Sequence, residues 1–311
     1  MGSVTLMLLF RNNAIYAFFL FMIMGVVYTR RQKESVRIIL FMICCLAVYY
    51  IGDVCLTKAL SADDGMIQEA LSVPSQQFGR IYTVACANGD EESKELIEAY
   101  YTEMTTERYN PHLSDPMKGH LVNVESAAKV LEYFRTAGKL LVKYPLVSLD
   151  SFLYLTEGGW YINDTSCAAI YGTGLETRQG YLLTDVKDRF GTIEFGIVHQ
   201  SRFPLLENIL EHAFSNNEYQ KIPILSVLFA PALYFWILAF CMVGLYYVRN
   251  VRYLYLTGFL GILYLTVLAG PCIIVRYMYP FIVCSPVLLA MLVKSVRVCY
   301  MNKEYIDGEE V

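Results

Sequence analysis

Residues Tyr253 to Gly270 read YLYLTGFLGILYLTVLAG, and Tyr277 to Val293 read YMYPFIVCSPVLLAMLV, without one charged side chain between them in either run. A helix rises 1.5 Å per residue, so about 20 such residues cross a hydrocarbon core of ~30 Å. Ile222 to Val248, just upstream, is a third uncharged block. Near the N-terminus Ala14 to Tyr28 and Ile38 to Ile51 are equally apolar but shorter. Uncharged flanking residues bring both close to spanning length, with a buried core helix or a re-entrant segment as the alternative for this first pair. Five transmembrane helices are therefore expected. Met1 to Phe10 has no basic start and Arg11 follows its apolar residues, so it reads as the end of an earlier helix and not as a secretory signal.

Basic residues in short loops orient such a bundle. Arg30, Arg31, Lys33 and Arg37 separate spans one and two, Arg249 and Arg252 separate three and four, and Lys294 and Arg297 follow five. All three groups fall on one side, which should be the cytoplasm. The expected division is then 1–52 as a membrane segment with two spans, 53–221 as an extracytoplasmic domain, 222–293 as a membrane segment with three spans, and 294–311 as a cytoplasmic tail. Thr57 to Lys221 carries 14 Lys+Arg against 23 Asp+Glu, while the rest carries 11 against 6. That asymmetry agrees with the orientation.

Composition narrows the function classes. AVILMFWYC make up 56% of the 311 residues and DEKR 17%, against roughly 45 to 50% and about 25% in soluble domains. A net charge of -4 and the lack of a basic run exclude a nucleic-acid partner. Nine scattered Cys without a CxxC pair fit neither a disulfide scaffold nor a zinc module. There is no P-loop and no GxSxG elbow, and Gly172 with Gly174 lacks a third glycine. His112, His120, His199 and His212 lack metalloprotease spacing. No cofactor is evident, and a divalent cation stays open.

Within the long insert, helical spacing is the main signal. Phe78, Ile81, Tyr82 and Ala85 share a face after Pro74, and Leu96, Ile97, Tyr100, Tyr101 and Met104 recur after Asp90. Helices are also expected at Leu121 to Thr136, Leu146 to Leu155 and Leu205 to Phe214. The last is amphipathic and lies on the membrane or on the domain core; its sequence does not choose. The best strand signal is Thr192 to Val198. A mainly helical extracytoplasmic domain between spans two and three follows.

Three groups carry candidate chemistry. Arg276 is the only charge from Tyr253 to Val293, beside Tyr277 and Tyr279. It either snorkels to the interface or grips a lipid phosphate bidentately. Gly158-Gly159-Trp160-Tyr161-Ile162-Asn163-Asp164 pairs glycines that permit a tight turn with two aromatics. This loop is a core anchor or a platform for the apolar face of a sugar. Asp53, at the outer end of span two, and Asp63 and Asp64 after it offer a base for an acceptor hydroxyl or are solvated helix-end groups.

These stretches together resemble a bacterial family of polytopic membrane proteins of unknown function, grouped with the GT-C superfamily of glycosyltransferases. The matching segments are Arg11-Asn12-Asn13, Gln76-Gln77 with Arg80, and Tyr109-Asn110-Pro111 with Ser114-Asp115-Pro116 and Lys118. Trp160-Tyr161 is similar to a GYWYP motif with Gly159 and Ile162 departing from it, and Arg276, Tyr277 and Pro280 fit a closing RY..P. The resemblance implies a polyprenyl-phosphate-linked sugar as donor and an envelope glycan as acceptor. It implies lipid-phosphate binding by Arg276, Tyr277 and Tyr279. Gln76, Gln77, Arg80, Asn110, Asp115, Lys118, Trp160, Tyr161 and Asp164 would form the acceptor or loop motif. Family members begin with further transmembrane helices that would carry the catalytic acid, so this chain reads as a C-terminal portion with Asp53 as a positional substitute. The alternative is a non-catalytic envelope protein whose outer domain binds a glycan or a protein.

Overall fold

A computed structural model of the chain describes residues 2–10, 14–29, 35–61, 67–163, 202–206, 208–209 and 221–309. Arg11 to Asn13, Asp63, Asp64, Asp164, Gly172, Gly174, the run Thr192 to Val198, His199 and His212 lie outside these residues, as does most of Leu205 to Phe214. Helices dominate, and among the described residues β structure is limited to two isolated bridges, Tyr101 with Leu121 and Asn110 with Leu113.

Three helices open the chain, α1 (Gly2–Phe10), α2 (Ala14–Thr29) and α3 (Ser35–Leu60). The described part of the insert up to residue 163 contains α4 (Ser72–Asn88), α5 (Glu91–Glu98), α6 (Asp115–Lys118), α7 (Ala127–Lys143) and α8 (Pro145–Trp160). The C-terminal part contains α9 (Pro223–Leu228), α10 (Pro231–Tyr247), α11 (Val251–Leu268) and α12 (Val275–Glu309). Segments Ile39–Leu60, Val251–Leu268 and Val275–Met301 are long and apolar enough to cross a membrane, while Ala14–Tyr28 and Pro231–Tyr247 are shorter apolar helices. Leu40, Phe41, Ile43, Tyr50, Ile51 and Leu56 on α3 are exposed. So much uncovered apolar surface suits lipid and not water.

Several boundaries differ from those expected. The second apolar block does not stop near Ile51; α3 continues to Leu60 because no helix breaker appears before Ser61, which takes a left-handed φ of 49°. Asp53 therefore lies inside the helix, exposed on its side, and not at its end. The third block is not continuous. Pro231 cannot supply an N–H to extend α9, so the chain breaks at Phe229 and Ala230 and restarts with Pro231 in the first turn of α10. Helix α7 begins at Ala127 and not near Leu121, because Asn123 has φ 61° and Ser126 caps the new helix by accepting from the Lys129 N–H at 3.3 Å.

Two cores result. Leu8, Phe18, Met42, Cys45, Leu238, Leu245, Leu263 and Met278 belong to one, formed by the N- and C-terminal helices. The other lies within the insert, where Tyr133 is completely buried with Phe78, Ile81, Ile97, Tyr101, Met117 and Leu140. Phe78 and Tyr133 have centroids 4.9 Å apart, and Tyr100 meets Tyr133 edge-on at 5.2 Å. Burial pushes the Tyr133 hydroxyl up to about 12, although Ser75 and Tyr101 contact it. It is a neutral core group at physiological pH.

Local caps set the insert's geometry. Gly89 ends α4 at φ 69°, a conformation glycine adopts without steric cost. Asp90 then caps α5 by accepting from the Ser93 N–H at 3.4 Å and hydroxyl at 2.7 Å. The same carboxylate pairs with Lys143 at 2.8 Å and accepts from Tyr144 Oη, tying α5 to the joint between α7 and α8. Lys143 first, then Tyr144 and Ser93, hold the Asp90 carboxyl well below the usual carboxylate range. Its folded-state pKa is thus below the unfolded value of ~3.9, so its stabilisation is complete above that value and is lost as pH falls from it through the folded pKa. Melting of the full chain in neutral detergent should fall more steeply below about pH 4 than melting of Asp90→Asn. Parallel curves would remove Asp90 from the acid response.

Candidate functional site

Gln76, Gln77 and Arg80 lie on one helix, with Gln76 and Arg80 one turn apart on the same face of α4. Gln76 is fully buried, and its amide nitrogen donates to the carbonyls of Asn110 and of Pro111, the latter at 2.9 Å. Gln77 donates to the Ser148 carbonyl of α8 at 3.3 Å. Arg80 places Nε and Nη2 at 3.0 and 2.7 Å from one oxygen of Asp150, also on α8. Its guanidinium lies 6.0 Å from the centre of the Tyr109 ring. One face of α4 thereby holds both α8 and the segment beginning at Tyr109.

That segment is a strap. Asn110 Oδ1 accepts from the His112 N–H at 3.0 Å, a side-chain-stabilised bend that points the backbone carbonyls toward Gln76. Gly79 makes the approach feasible, since a Cβ there would stand 2.8 Å from Tyr109 and 3.0 Å from Met117. Tyr109 has its hydroxyl pKa raised by burial, with Ser151 and Arg80 opposing. His112 contacts the Tyr154 carbonyl through Nδ1 at 3.2 Å and stands 3.7 Å from Glu157. Asp115 and Lys118 form a 2.9 Å ion pair in α6, and Lys118, only 7% exposed, also pairs with Glu69. Burial alone would lower the Lys118 pKa; the two carboxylates reverse that and raise it. Its charge is matched inside the fold.

The strap also reaches the apolar C-terminal helices. The Ser114 N–H donates to the Pro271 carbonyl at 2.9 Å, and Leu113 packs with Cys272, Ile274 and Tyr277. Pro271 to Ile274 lead directly into the first turn of α12, where Arg276 is half-buried with its guanidinium 5.3 Å from the Tyr277 ring centre. Tyr279 is exposed. Pro280 stands one turn into α12, which continues through it. The positive end of the helix and the arginine thus stand together next to the strap.

The Gly-Gly-Trp-Tyr stretch is not a turn. Gly158 and Gly159 are buried within the last turn of α8, where the Gly159 carbonyl accepts from Tyr264 Oη of α11 at 2.5 Å. Trp236 of α10 donates to the Trp160 carbonyl at 2.9 Å. The glycines and backbone anchor α8 to α10 and α11, while Trp160 and Tyr161 remain 39% and 46% exposed. The two readings of this motif therefore fall on different atoms.

The structure brings Gln76, Gln77 and Arg80 together with Asn110, Pro111 and α8, sets Asp115 and Lys118 in a separate group with Glu69, and carries the segment between them to Pro271 and Tyr277 through Ser114 and Leu113. Asp53 makes no hydrogen bond or ion pair within 4 Å among the described residues, and nothing joins it to this network. Sequence reasoning missed Asp150 and Glu157, which occupy α8 about three turns and about one turn before its end. Their helical phase was the available signal: with Tyr154 they mark a polar ridge on an otherwise apolar helix. Among the described residues no group of three or more His, Cys, Asp or Glu stands close enough to hold a metal ion.

The profile of a family of unknown function, DUF6020, matches residues 2–304. The chain belongs to that family. Neither the curated proteins nor the solved structures contain a match to it.

Proposed function

We propose that the chain is the C-terminal portion of a GT-C-like glycosyltransferase that takes a sugar from a polyprenyl-phosphate carrier at the outer face of a bacterial cell membrane. The carrying observation is the strap. It fixes the insert against Pro271, four residues from the helix start that presents Arg276, through the 2.9 Å Ser114 contact. Exposed Trp160 and Tyr161 project from the helix end anchored to α10 and α11. A lipid phosphate at Arg276 and the apolar face of a sugar on these aromatics require groups of these two kinds at one end of a bundle.

In this reading five helices span the membrane, residues 53–221 face outward and the C-terminus is cytoplasmic. Arg276 supplies the planar fork that matches phosphate, with Tyr277 and Tyr279 at the interface. Gln76, Arg80, Asn110 and Lys118 hold the acceptor side in shape and do not react. Asp53 is not the base in this reading, because it lies exposed on the side of α3 and is not joined to this network. The alternative, a non-catalytic envelope protein that binds a glycan or protein through the insert, uses the same aromatic surface without the carrier.

Retention of labelled polyprenyl phosphate by the detergent-purified chain tests the proposal, with uncharged polyprenol as control. Arg276→Lys keeps the charge but loses the fork, and should weaken retention by about 1 to 3 kcal/mol, the range for a charged hydrogen bond. Arg276→Ala should weaken it further. Equal retention by all three proteins would assign Arg276 to the interface and leave the non-catalytic alternative.

A further inference from the structure

At the opposite end of the membrane helices, a cavity of about 510 Å³ opens between the α10–α11 turn and α12. Its lining includes Arg249, Asn250, Arg252, Lys294 and Ser295, together with apolar residues such as Val251 and Val298. This end is remote from the insert, since α8 meets the far ends of α10 and α11 through Trp236 and Tyr264. We infer that the cavity is a binding site for a phosphate group, carried by the headgroup of an anionic phospholipid or by a soluble phosphate compound.

Three cations converge on the cavity and no carboxylate lines it. None of the three makes an ion pair among the described residues, whereas Lys94, Lys118, Lys129 and Lys143 of the insert do. Charges that merely orient helices need no cavity and no common aim. Here the turn is held rigidly. Asn250 donates to Ser295 Oγ at 2.8 Å and accepts from the Tyr253 N–H at 3.2 Å, so one side chain pins the turn to α12 and caps α11. The positive end of α11 consequently faces the same space as the three side chains.

Arg249 adds an independent indication. It takes φ 56° immediately after α10, and the Asn250 N–H returns to the Leu245 carbonyl at 3.0 Å. This is the helix-ending position normally given to glycine, and a non-glycine residue there is strained. A long cation occupies it and reaches the cavity. The apolar part of the lining, Val248, Val251 and Val298, suits a phosphate with an apolar attachment. Basic pockets between transmembrane helices recognise lipid headgroups in this way.

The test uses the full chain in neutral detergent, with melting followed against added phosphatidylglycerol, phosphatidylcholine or inorganic phosphate. Phosphatidylglycerol should raise the midpoint at concentrations where phosphatidylcholine does not. Arg249→Gln and Lys294→Gln should each raise the phosphatidylglycerol concentration required by about five- to tenfold, as loss of one charged contact predicts. Arg297→Gln, a cation outside the lining on the same helix end, should leave it unchanged, and so should Arg276→Lys. Asn250 and the backbone are untouched in both cavity variants, so their midpoints without lipid report folding separately. Stabilisation by inorganic phosphate at equal concentration would assign the site to a soluble phosphate compound. No preference for either phosphate over phosphatidylcholine, or an equal loss in Arg297→Gln, would overturn the inference.

Discussion

Gln76→Met should lower the stability of the full chain by about 1 to 3 kcal/mol, the range for a buried carbonyl left unsatisfied, because it strips a donor from two carbonyls, of which that of Asn110 keeps the Leu113 N–H at 3.3 Å. Methionine nearly conserves the volume, so packing loss is small and the polar term dominates. The carbonyls are those of Asn110 and Pro111, held by one fully buried amide. Gln76→Glu gives the electrostatic counterpart. A carboxylate facing two carbonyls in a buried site has its folded pKa raised above ~4.3. Such a raised group favours the fold below the unfolded pKa and loses that contribution as pH rises through the folded value. Melting of Gln76→Glu should therefore approach that of the wild type toward pH 4 (about the unfolded value) and fall away from it toward pH 8, while Gln76→Met shows no such trend. Hydrogen exchange across residues 109–118 locates the effect. If that segment stays protected in Gln76→Met, the amide does not hold the strap.

The same glutamine shows what the sequence reveals and where it stops. The α4 face formed by Phe78, Ile81, Tyr82 and Ala85 is legible from spacing alone, and all four are buried. Helical phase is a local property, so it survives reading one segment at a time. Partnership is not local. Arg80 meets Asp150 across 70 residues, and nothing in the chain's order singles out that carboxylate among the 29 acidic residues. Apolar spacing also overran α5, where Tyr100 and Tyr101 are buried from a turn after Glu98 and not from the helix. A tyrosine can reach a core from either geometry, so its spacing does not define the backbone. In the membrane segments the uncharged blocks are plain, but Pro231 divides one and α3 outruns another. Hydropathy measures environment and leaves helix continuity to the backbone.

The glycine pair was the most ambiguous signal, and its resolution has a quantitative consequence. A Cβ at Gly159 would stand 2.5 Å from Tyr264 Oη and 3.1 Å from Leu268. Gly159→Ala should therefore force α8 away from α11 at a cost of about 1 to 3 kcal/mol for overpacking. It also breaks the bond from Tyr264 to the Gly159 carbonyl, worth about 0.5 to 1.5 kcal/mol more. Tyr264→Phe alone should lose only the hydrogen bond and the satisfaction of that carbonyl. The double variant separates the contributions, because removing the hydroxyl clears the nearest obstruction, and the ring carbon behind it stands 3.6 Å from the added Cβ, an ordinary contact. Its destabilisation should be smaller than the sum of the two single changes by about 1 to 2 kcal/mol, a coupling expected of residues in direct contact. Thermal melting of the four proteins in one detergent measures the cycle. A coupling near zero would mean that α8 accommodates the methyl group elsewhere, and that the glycine is not there to admit Tyr264. A coupling of the expected size identifies close approach as the reason for glycine in this turn, with the Tyr264 hydroxyl one of the attachments of the insert beside those of Trp236 and Ser114.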